Sequence, residues 1–325
     1  MLAMRRPGIA YPKHGTMLAI FLKTLPFFAL IGLGWGAGRL RFFPDAATEY
    51  LTRFVFYFAL SAMLFRFAAN LSLAEIFDAR FAAAYLAGCL AVYLLATLVA
   101  RLRRIPATEA AVEAQCAVIG NTGFLGVPLL TVLLGPEAAG PILMVLAIDL
   151  IVFSSLITLI ITGAREGHLS PRIIKVLAFG LVKNPMIVSM AAGLAVSSAG
   201  LSLPAPVEEF MTILGAAATP CALFAIGASL ASKTAERLSV ALWLSFAKLV
   251  LHPVAVAVAA LLVFGVEPFA AGVMIAAASL PVAGNVYILA RTYGVAPQRV
   301  SASILISTVF SIVTVSLVVA WITAA

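Results

Sequence analysis

The chain has few charged residues and few side chains of the kinds that perform chemistry. Only 10% of its residues are Asp, Glu, Lys or Arg, and it contains 3 cysteines and 3 histidines. It has no Gly-rich phosphate loop ending in Lys-Ser or Lys-Thr, no His-Glu-x-x-His metal motif and no Gly-x-Ser-x-Gly elbow. Cys89, Cys116 and Cys221 lie in apolar segments without disulfide or metal-site spacing. These absences argue against an ATPase or a hydrolase, and the sequence predicts neither an enzyme nor a resident cofactor or metal.

Apolar residues take the place of the missing polar ones. Hydrophobic residues make up 63% of the chain, and its mean hydropathy is +1.13. Because about 20 apolar residues span a bilayer, the sequence predicts an all-α integral membrane protein with ten transmembrane helices and no soluble domain. The predicted spans cover residues 17–40, 45–69, 76–102, 106–135, 137–163, 177–200, 206–232, 238–265, 267–294 and 298–323.

The formal net charge of +8 is explained by topology rather than by nucleic-acid binding. Lys and Arg collect in the odd-numbered connections, and cytoplasmic loops are enriched in these residues. The pattern places the odd loops inside and both termini outside a bacterial-type inner membrane. Arg5, Arg6 and Lys13 oppose this orientation. Residues 1–16 are therefore either a short tail whose positive charges do not change the orientation set by the ten spans, or a segment that precedes a true start at Met17.

Two predicted spans contain helix-breaking runs near their centres, Gly120 to Pro128 in the fourth and Pro281 to Asn285 in the ninth. Lipid cannot satisfy the backbone groups that such breaks release, so unwound backbone at that depth lines a cavity or binds a ligand. Paired breaks in corresponding positions of two halves indicate a transporter substrate site. The alternative is that these Gly and Pro residues only allow close packing or a kink.

The two halves of the chain are related by a weak repeat. An offset of 159 residues aligns Ser61 with Pro220, and Gly120 and Gly284 lie 164 apart. Five spans per half is an odd number, so the halves cross the membrane in opposite directions as an inverted repeat. The predicted organisation is a first repeat at 17–163, a short cytoplasmic linker at 164–176 and a second repeat at 177–325.

The breaks provide groups that can bind an anion. We expect Pro128 to open a half-helix at 129–134, and a second half-helix to cover 286–293. Free N–H groups at such helix starts favour anions, and asparagine amides both donate and accept hydrogen bonds. The predicted ligand is a carboxylate or similar small organic anion. The candidate substrate-binding residues are Asn121, Thr122, Gly123, Pro128, Pro281, Gly284 and Asn285.

Ionisable residues in the middle of two spans are candidates for coupling. Asp149 lies about 15 Å into the fifth span, where it either carries a proton during transport or locks the structure as a buried partner. Lys248 is similarly deep in the eighth span, and His252 shares its helical face. The preferred hypothesis is that Lys248 pairs alternately with Asp149 and with the substrate. His252 is equally a packing residue. Glu113 and Gln115 either flank the site, or Glu113 faces water with Glu109.

Several of these motifs resemble the auxin efflux carrier family. They are Gly-Asn-Thr-Gly-Phe-Leu-Gly-Val-Pro at 120–128, Leu-Pro-Val-Ala-Gly-Asn at 280–285 with Ala-Arg-Thr-Tyr-Gly at 290–294, Lys-Asn-Pro at 183–185, the stretch 220–230, and Lys248 with His252-Pro253. The resemblance implies a five-plus-five inverted-repeat carrier, similar in architecture to bile-acid symporters and sodium/proton antiporters. In that fold the first, second, sixth and seventh spans form a scaffold that often dimerises. The other six spans form a moving transport domain with crossed helices at its centre.

Plant members of the family export indole-3-acetate and have a long central loop, whereas the connection here is as short as in bacterial relatives labelled malonate or malate transporters. The expected function is an elevator-like secondary carrier that exports small organic anions, coupled to H⁺, Na⁺ or neither, with lipid and a second copy as its other partners. The alternatives are a sodium-coupled carboxylate symporter and, in a different class, an anion channel or a membrane sensor.

Overall fold

A computed structural model describes residues 17–71, 78–166, 172–232 and 238–324, and within them the chain is helical. The predicted tail at 1–16 and part of the predicted linker, 167–171, lie outside the described residues. The helices are α1 Met17–Arg39, α2 Asp45–Ala69, α3 Ala79–Leu102, α4 Ala107–Val118, α5 Thr122–Leu134, α6 Pro136–Arg165, α7 Arg172–Lys183, α8 Pro185–Ser198, α9 Ala205–Ala231, α10 Leu238–Val263, α11 Pro268–Ala278, α12 Gly284–Tyr293 and α13 Pro297–Ala324.

Seven of the described helices are long and apolar enough to cross a membrane, and an eighth span results if α7 and α8 count as one. The seven are α1, α2, α3, α6, α9, α10 and α13. The predicted fourth and ninth spans are each two shorter helices, α4 with α5 and α11 with α12. The chain is therefore a multi-pass membrane protein, and its broken segments are those that contain the Gly-Asn pairs.

The predicted sixth span is bent rather than straight. Helices α7 and α8 meet at an angle of 69°, and the bend lies at Asn184, whose backbone is extended. A proline disfavours helical backbone in the residue before it, so Pro185 ends α7. Pro185 then suits the first position of α8, where the Asn184 side chain accepts a 3.0 Å hydrogen bond from the Met186 N–H.

Helices α1, α2, α8 and α9 form one packed group. α1 runs along the second half of α9, and the second half of α2 packs against both α8 and α9. Glycine makes these approaches possible, because a Cβ on Gly227 would overlap the Ile31 carbonyl oxygen and one on Gly34 would overlap that of Phe224. Close backbone contact through small residues is a common way for membrane helices to associate.

The remaining helices form a second group around the broken segments. α3 packs against α4 and α10, α11 lies against α6 and α10, and α13 contacts α10 and α12. The two groups contain the spans that the family resemblance assigns to scaffold and transport domain.

Wide helical turns mark several of the candidate residues. Asp149 begins a π-helical turn at Asp149–Phe153, and Lys248 lies in another at Ala247–Leu251. Such turns insert an extra residue into a helix and are frequent at functional sites.

Candidate functional site

The two helix breaks are in direct contact with each other. The Asn121 N–H donates to the Pro281 carbonyl at 2.8 Å, and the Ala283 N–H donates to the Ile119 carbonyl at 3.1 Å. These bonds form an isolated antiparallel bridge between Gly120 and Val282. Backbone groups that neither half-helix can satisfy are therefore satisfied by the opposite break, as a buried polar backbone requires.

The first break is shorter than predicted. Regular α-helix begins at Val127 with Pro128 in its first turn, as expected, but a π-helical turn extends the helix back to Thr122. α4 ends at Val118, and helix resumes at Thr122 with a π-helical turn at Thr122–Gly126. The Asn121 carbonyl accepts from both Leu125 and Gly126. Pro128 cannot donate a hydrogen bond, and the wide turn just before it lets the helix continue through the proline. Pro128 is thus buried in the first turn of the regular α-helical part of α5, after its π-helical turn.

Asn121 and the two residues after it are all buried. The Thr122 N–H donates to the Gly120 carbonyl at 2.8 Å. A Cβ on Gly123 would lie 2.7 Å from the Met186 methyl carbon, so this glycine is covered by α8 of the other helix group. The predicted substrate residues of the first break therefore lie at the boundary between the two groups.

The second break follows the prediction more closely. α11 ends at Ala278, Pro281 lies in the unwound stretch, and α12 begins at Gly284 rather than at 286. The Val282 N–H is held by the Ser307 hydroxyl at 3.0 Å. Gly284 is exposed. Asn285 lies in the first turn of α12, and its Oδ1 atom is buried with no hydrogen-bond partner among the described residues. A buried polar atom without a partner is rare, and a ligand would satisfy it.

Lys248 is fully buried beside the crossing of the breaks. Its ammonium donates to the Ala278 carbonyl and lies 3.0 Å from His252 Nδ1. A Cβ on Gly120 would lie 3.3 Å from the Lys248 Nζ atom. A cation at the C-terminal end of a helix is stabilised by the helix dipole, and Lys248 occupies that position at the end of α11. It therefore contacts both broken segments.

Asp149 is buried but is not paired with Lys248. The Tyr85 hydroxyl donates to Asp149 Oδ1 at 2.9 Å, and Oδ2 is buried without a partner in the described part of the chain. No carboxylate of the described residues lies within ion-pair distance of Lys248. On α3, one turn after Tyr85, Cys89 Sγ lies 3.1 Å from His252 Nε2. α3 thus touches both candidate coupling sites, and neither Tyr85 nor Cys89 was singled out by sequence.

A buried charge cluster lies at the start of α4. Glu113 accepts from Arg103 at 2.7 Å and from Arg299 at 2.6 Å, and Arg299 also lies 3.0 Å from Glu109. Glu113 is 1% exposed, so it does not face water. Gln115 is buried as well, and its Oε1 atom has no partner within the described residues. In the sequence, Arg299 is one of the basic residues that indicate a cytoplasmic loop. Nothing in the residues around it predicts an ion pair with Glu113, which lies 186 positions away in the chain.

The arrangement contains the groups needed to bind an anion in a dry site. The crossing brings two half-helix starts together, with the amide of Asn121 next to one and the amide of Asn285 in the first turn of the other. Lys248 supplies a positive charge at the same place. The structure thus brings together the two breaks, Lys248 and His252. Asp149 contacts Tyr85 and interacts with Lys248 electrostatically, beyond ion-pair distance.

Comparison with known proteins identifies the class of protein. The family model described as "Membrane transport protein" matches residues 19–319. The chain is also 32% identical over 296 residues to a protein named "Putative malonate transporter" from Rhizobium meliloti (strain 1021), which covers 90% of this chain and 92% of that protein. Both matches extend through the two broken segments and confirm the resemblance found in the motifs. The chain is a membrane transporter and not an enzyme, and it belongs to the membrane transport protein family, also called the auxin efflux carrier family.

Proposed function

We propose that this protein is a secondary transporter of small organic anions whose substrate binds where the two helix breaks cross. The observation that carries the proposal is the contact of Gly120 with Val282. Asn121 flanks this contact on one break, and Asn285, whose Oδ1 atom has no hydrogen-bond partner among the described residues, lies three residues after Val282 on the other. Half-helix starts and amide donors favour a carboxylate. The printed name of the Rhizobium relative, a malonate transporter, supports the same chemical class.

The proposed mechanism is alternating access by an elevator-like movement. The packed group of α1, α2, α8 and α9 serves as the scaffold, and the other helices serve as the moving domain. The proposed topology is a ten-span inverted repeat with both termini outside a bacterial inner membrane. Glycines allow the scaffold helices to pack closely against one another, and the first break of the crossing meets the scaffold at Gly123. Export is the proposed direction. Exposed apolar side chains on the scaffold, such as Leu33 and Phe210, would face lipid or a second copy.

The proposed coupling uses Asp149 and Lys248. Asp149 Oδ2 has no hydrogen-bond partner among the described residues. It can take up a proton without breaking a hydrogen bond of that part of the chain, since Tyr85 donates only to Oδ1. No carboxylate of the described residues lies within ion-pair distance of Lys248, although Asp149 interacts with it electrostatically at longer range, so a bound substrate anion would be its direct ion-pair partner. Proton or sodium coupling, or none, is consistent with this arrangement, and driving-force experiments separate the three.

The test is counterflow in proteoliposomes with labelled malonate, malate and indole-3-acetate. Asn121→Ala and Asn285→Ala are compared with wild type, and Asn70→Ala, an exposed asparagine at the end of α2, serves as the matched control. Saturable exchange of one compound that both crossover variants lose and the control retains supports the proposal. Exchange by both variants at the wild-type rate would make the breaks packing features. Unsaturable current without exchange would instead indicate a channel, and uptake that requires sodium at constant pH would indicate a symporter.

A further inference from the structure

A cavity of about 220 Å³ lies between the two helix groups. Its walls come from α2 and α9 on one side and from α5 on the other. Pro128 belongs to the wall, seven residues after Asn121 on the helix that starts at the crossing. The cavity therefore lies about two helical turns along α5 from the crossover and contacts both groups that the proposed movement displaces.

The one charged residue lining this cavity is Arg66, on α2. Its side chain is half-buried, and one guanidinium nitrogen donates to the Thr212 hydroxyl of α9 at 2.9 Å. None of the carboxylates in the described ranges lies within ion-pair distance of it. Arg66 lies in the last turn of α2, close to the end of the predicted span. Its half-buried guanidinium has no compensating ion pair within the described residues, and a bound anion would supply one.

The chemistry of Arg66 identifies the ligand that would compensate it. A guanidinium has five N–H donors in a planar fork that matches a carboxylate in bidentate geometry. Thr212 takes only one of these donors and holds the fork in place. The rest of the wall combines apolar side chains such as Phe27 and Val132 with threonine hydroxyls. This is the composition of a pocket for a small aliphatic acid, in which a few polar groups fix the orientation of an otherwise apolar ligand.

We infer that Arg66 binds a carboxylate of the transported anion in the cavity between the two helix groups. This inference rests on the proposed function, because it takes the transported substrate to be a carboxylate. It adds a substrate-binding residue on the scaffold side, across the cavity from Pro128 of α5. A substrate carboxylate bound to Arg66 would be attached to the scaffold, while the rest of the substrate site belongs to the moving domain. The substrate must therefore dissociate from Arg66 in each transport cycle.

The experiment measures malonate exchange as a function of concentration for purified wild type, Arg66→Gln, Arg66→Lys and Arg80→Gln. Arg80 is the matched control, since it is an exposed arginine in the same predicted even-numbered connection. Arg66→Gln should raise KM about tenfold or more, because a charge-assisted bidentate contact is lost. The KM of Arg66→Lys should lie between those of wild type and Arg66→Gln, because lysine retains the charge without the planar fork of donors. The KM of Arg80→Gln should equal that of wild type.

A further variant protects the test against misfolding of the charge variant. Thr212→Val retains Arg66 and removes only its hydrogen-bond partner, and we expect it to raise KM about fivefold at an unchanged amount of folded protein. Size-exclusion chromatography reports folding for each variant.

Four results would overturn the inference. An unchanged KM with a lower maximal rate in Arg66→Gln and Thr212→Val would give Arg66 a structural role. An effect of Arg66→Gln that vanishes in liposomes free of anionic lipid would identify a lipid headgroup as the bound anion. If wild type exchanges malonate and Arg66→Gln matches it fully, only this inference fails. If wild type exchanges no carboxylate of the panel, the proposed function fails with it.

Discussion

The Lys248 ammonium donates a hydrogen bond to the carbonyl of Ala278, which is the last residue of α11. The carbonyls of the last helical turn have no partner within their own helix, and here a buried cation supplies one. The same ammonium lies against Gly120 of the opposite break. Lys248 therefore links the eighth predicted span to both halves of the crossing, and it stabilises the end of one half-helix whether or not a substrate is bound.

Replacement of Lys248 should disturb the crossing itself. Lys248→Met leaves His252 Nδ1, 3.2 Å away, as the remaining donor to the buried Ala278 carbonyl, so the lost hydrogen bond costs about 1 kcal/mol, and it removes the charge beside Gly120. We expect the exchange rate to fall by roughly tenfold or more. Lys23→Met removes an exposed lysine from α1 and should exchange like wild type. Proteoliposome counterflow measures both, and a Lys248→Met protein that exchanges normally would show that the lysine is dispensable.

Substitution of Asp149 should separate exchange from accumulation. Asp149→Asn keeps an oxygen for the Tyr85 hydroxyl but cannot take up and release a proton. We expect counterflow at a rate within about twofold of wild type, since the packing is retained, and no accumulation driven by a pH gradient. Tyr85→Phe retains the carboxylate and should still accumulate substrate. Equal accumulation by Asp149→Asn and wild type would assign Asp149 a structural role.

The charge cluster at the start of α4 should contribute to stability rather than to transport. Glu113→Gln leaves the buried Arg299 with Glu109 as its remaining carboxylate partner, and breaking one side of a buried ion pair costs about 3–5 kcal/mol. Glu109 is 32% exposed, so Glu109→Gln should cost about 1 kcal/mol or less. Thermal unfolding in detergent compares the two. If both variants melted at the wild-type temperature, the cluster would be energetically neutral.

The glycines of α1 allow a test of helix packing with an internal control. Gly34→Ala places a methyl group against the Phe224 carbonyl, and overpacking of this kind costs about 1–3 kcal/mol. Gly36 has open space around its Cβ position, so Gly36→Ala should be neutral or stabilise the helix by up to about 1 kcal/mol. Opposite shifts in unfolding temperature are expected, and equal shifts would contradict the α1–α9 contact.

The sequence by itself determined the membrane class, the family and the positions of the two breaks. These properties depend on local composition, because apolar runs specify spanning helices and Gly or Pro interrupts them wherever the rest of the chain lies. Local rules were less accurate within the breaks. Pro128 has the usual signature of a helix start, yet a π-helical turn beginning at Thr122 carries the helix through it. Helix propensity does not predict that turn, because the carbonyl that accepts its first hydrogen bonds belongs to Asn121. The Asn121 N–H is itself hydrogen-bonded to Pro281 of the opposite break.

Only the tertiary structure decided which distant groups meet. The Gly120–Val282 bridge, the Tyr85–Asp149 hydrogen bond and the Arg299–Glu113 ion pair join residues far apart in the chain. The sequence placed Asp149 and Lys248 at similar depths and suggested that they pair, but depth along a helix does not specify the direction in which a side chain points. That direction follows from the packing of each helix against its neighbours, which is why Lys248 contacts Ala278 while Asp149 contacts Tyr85.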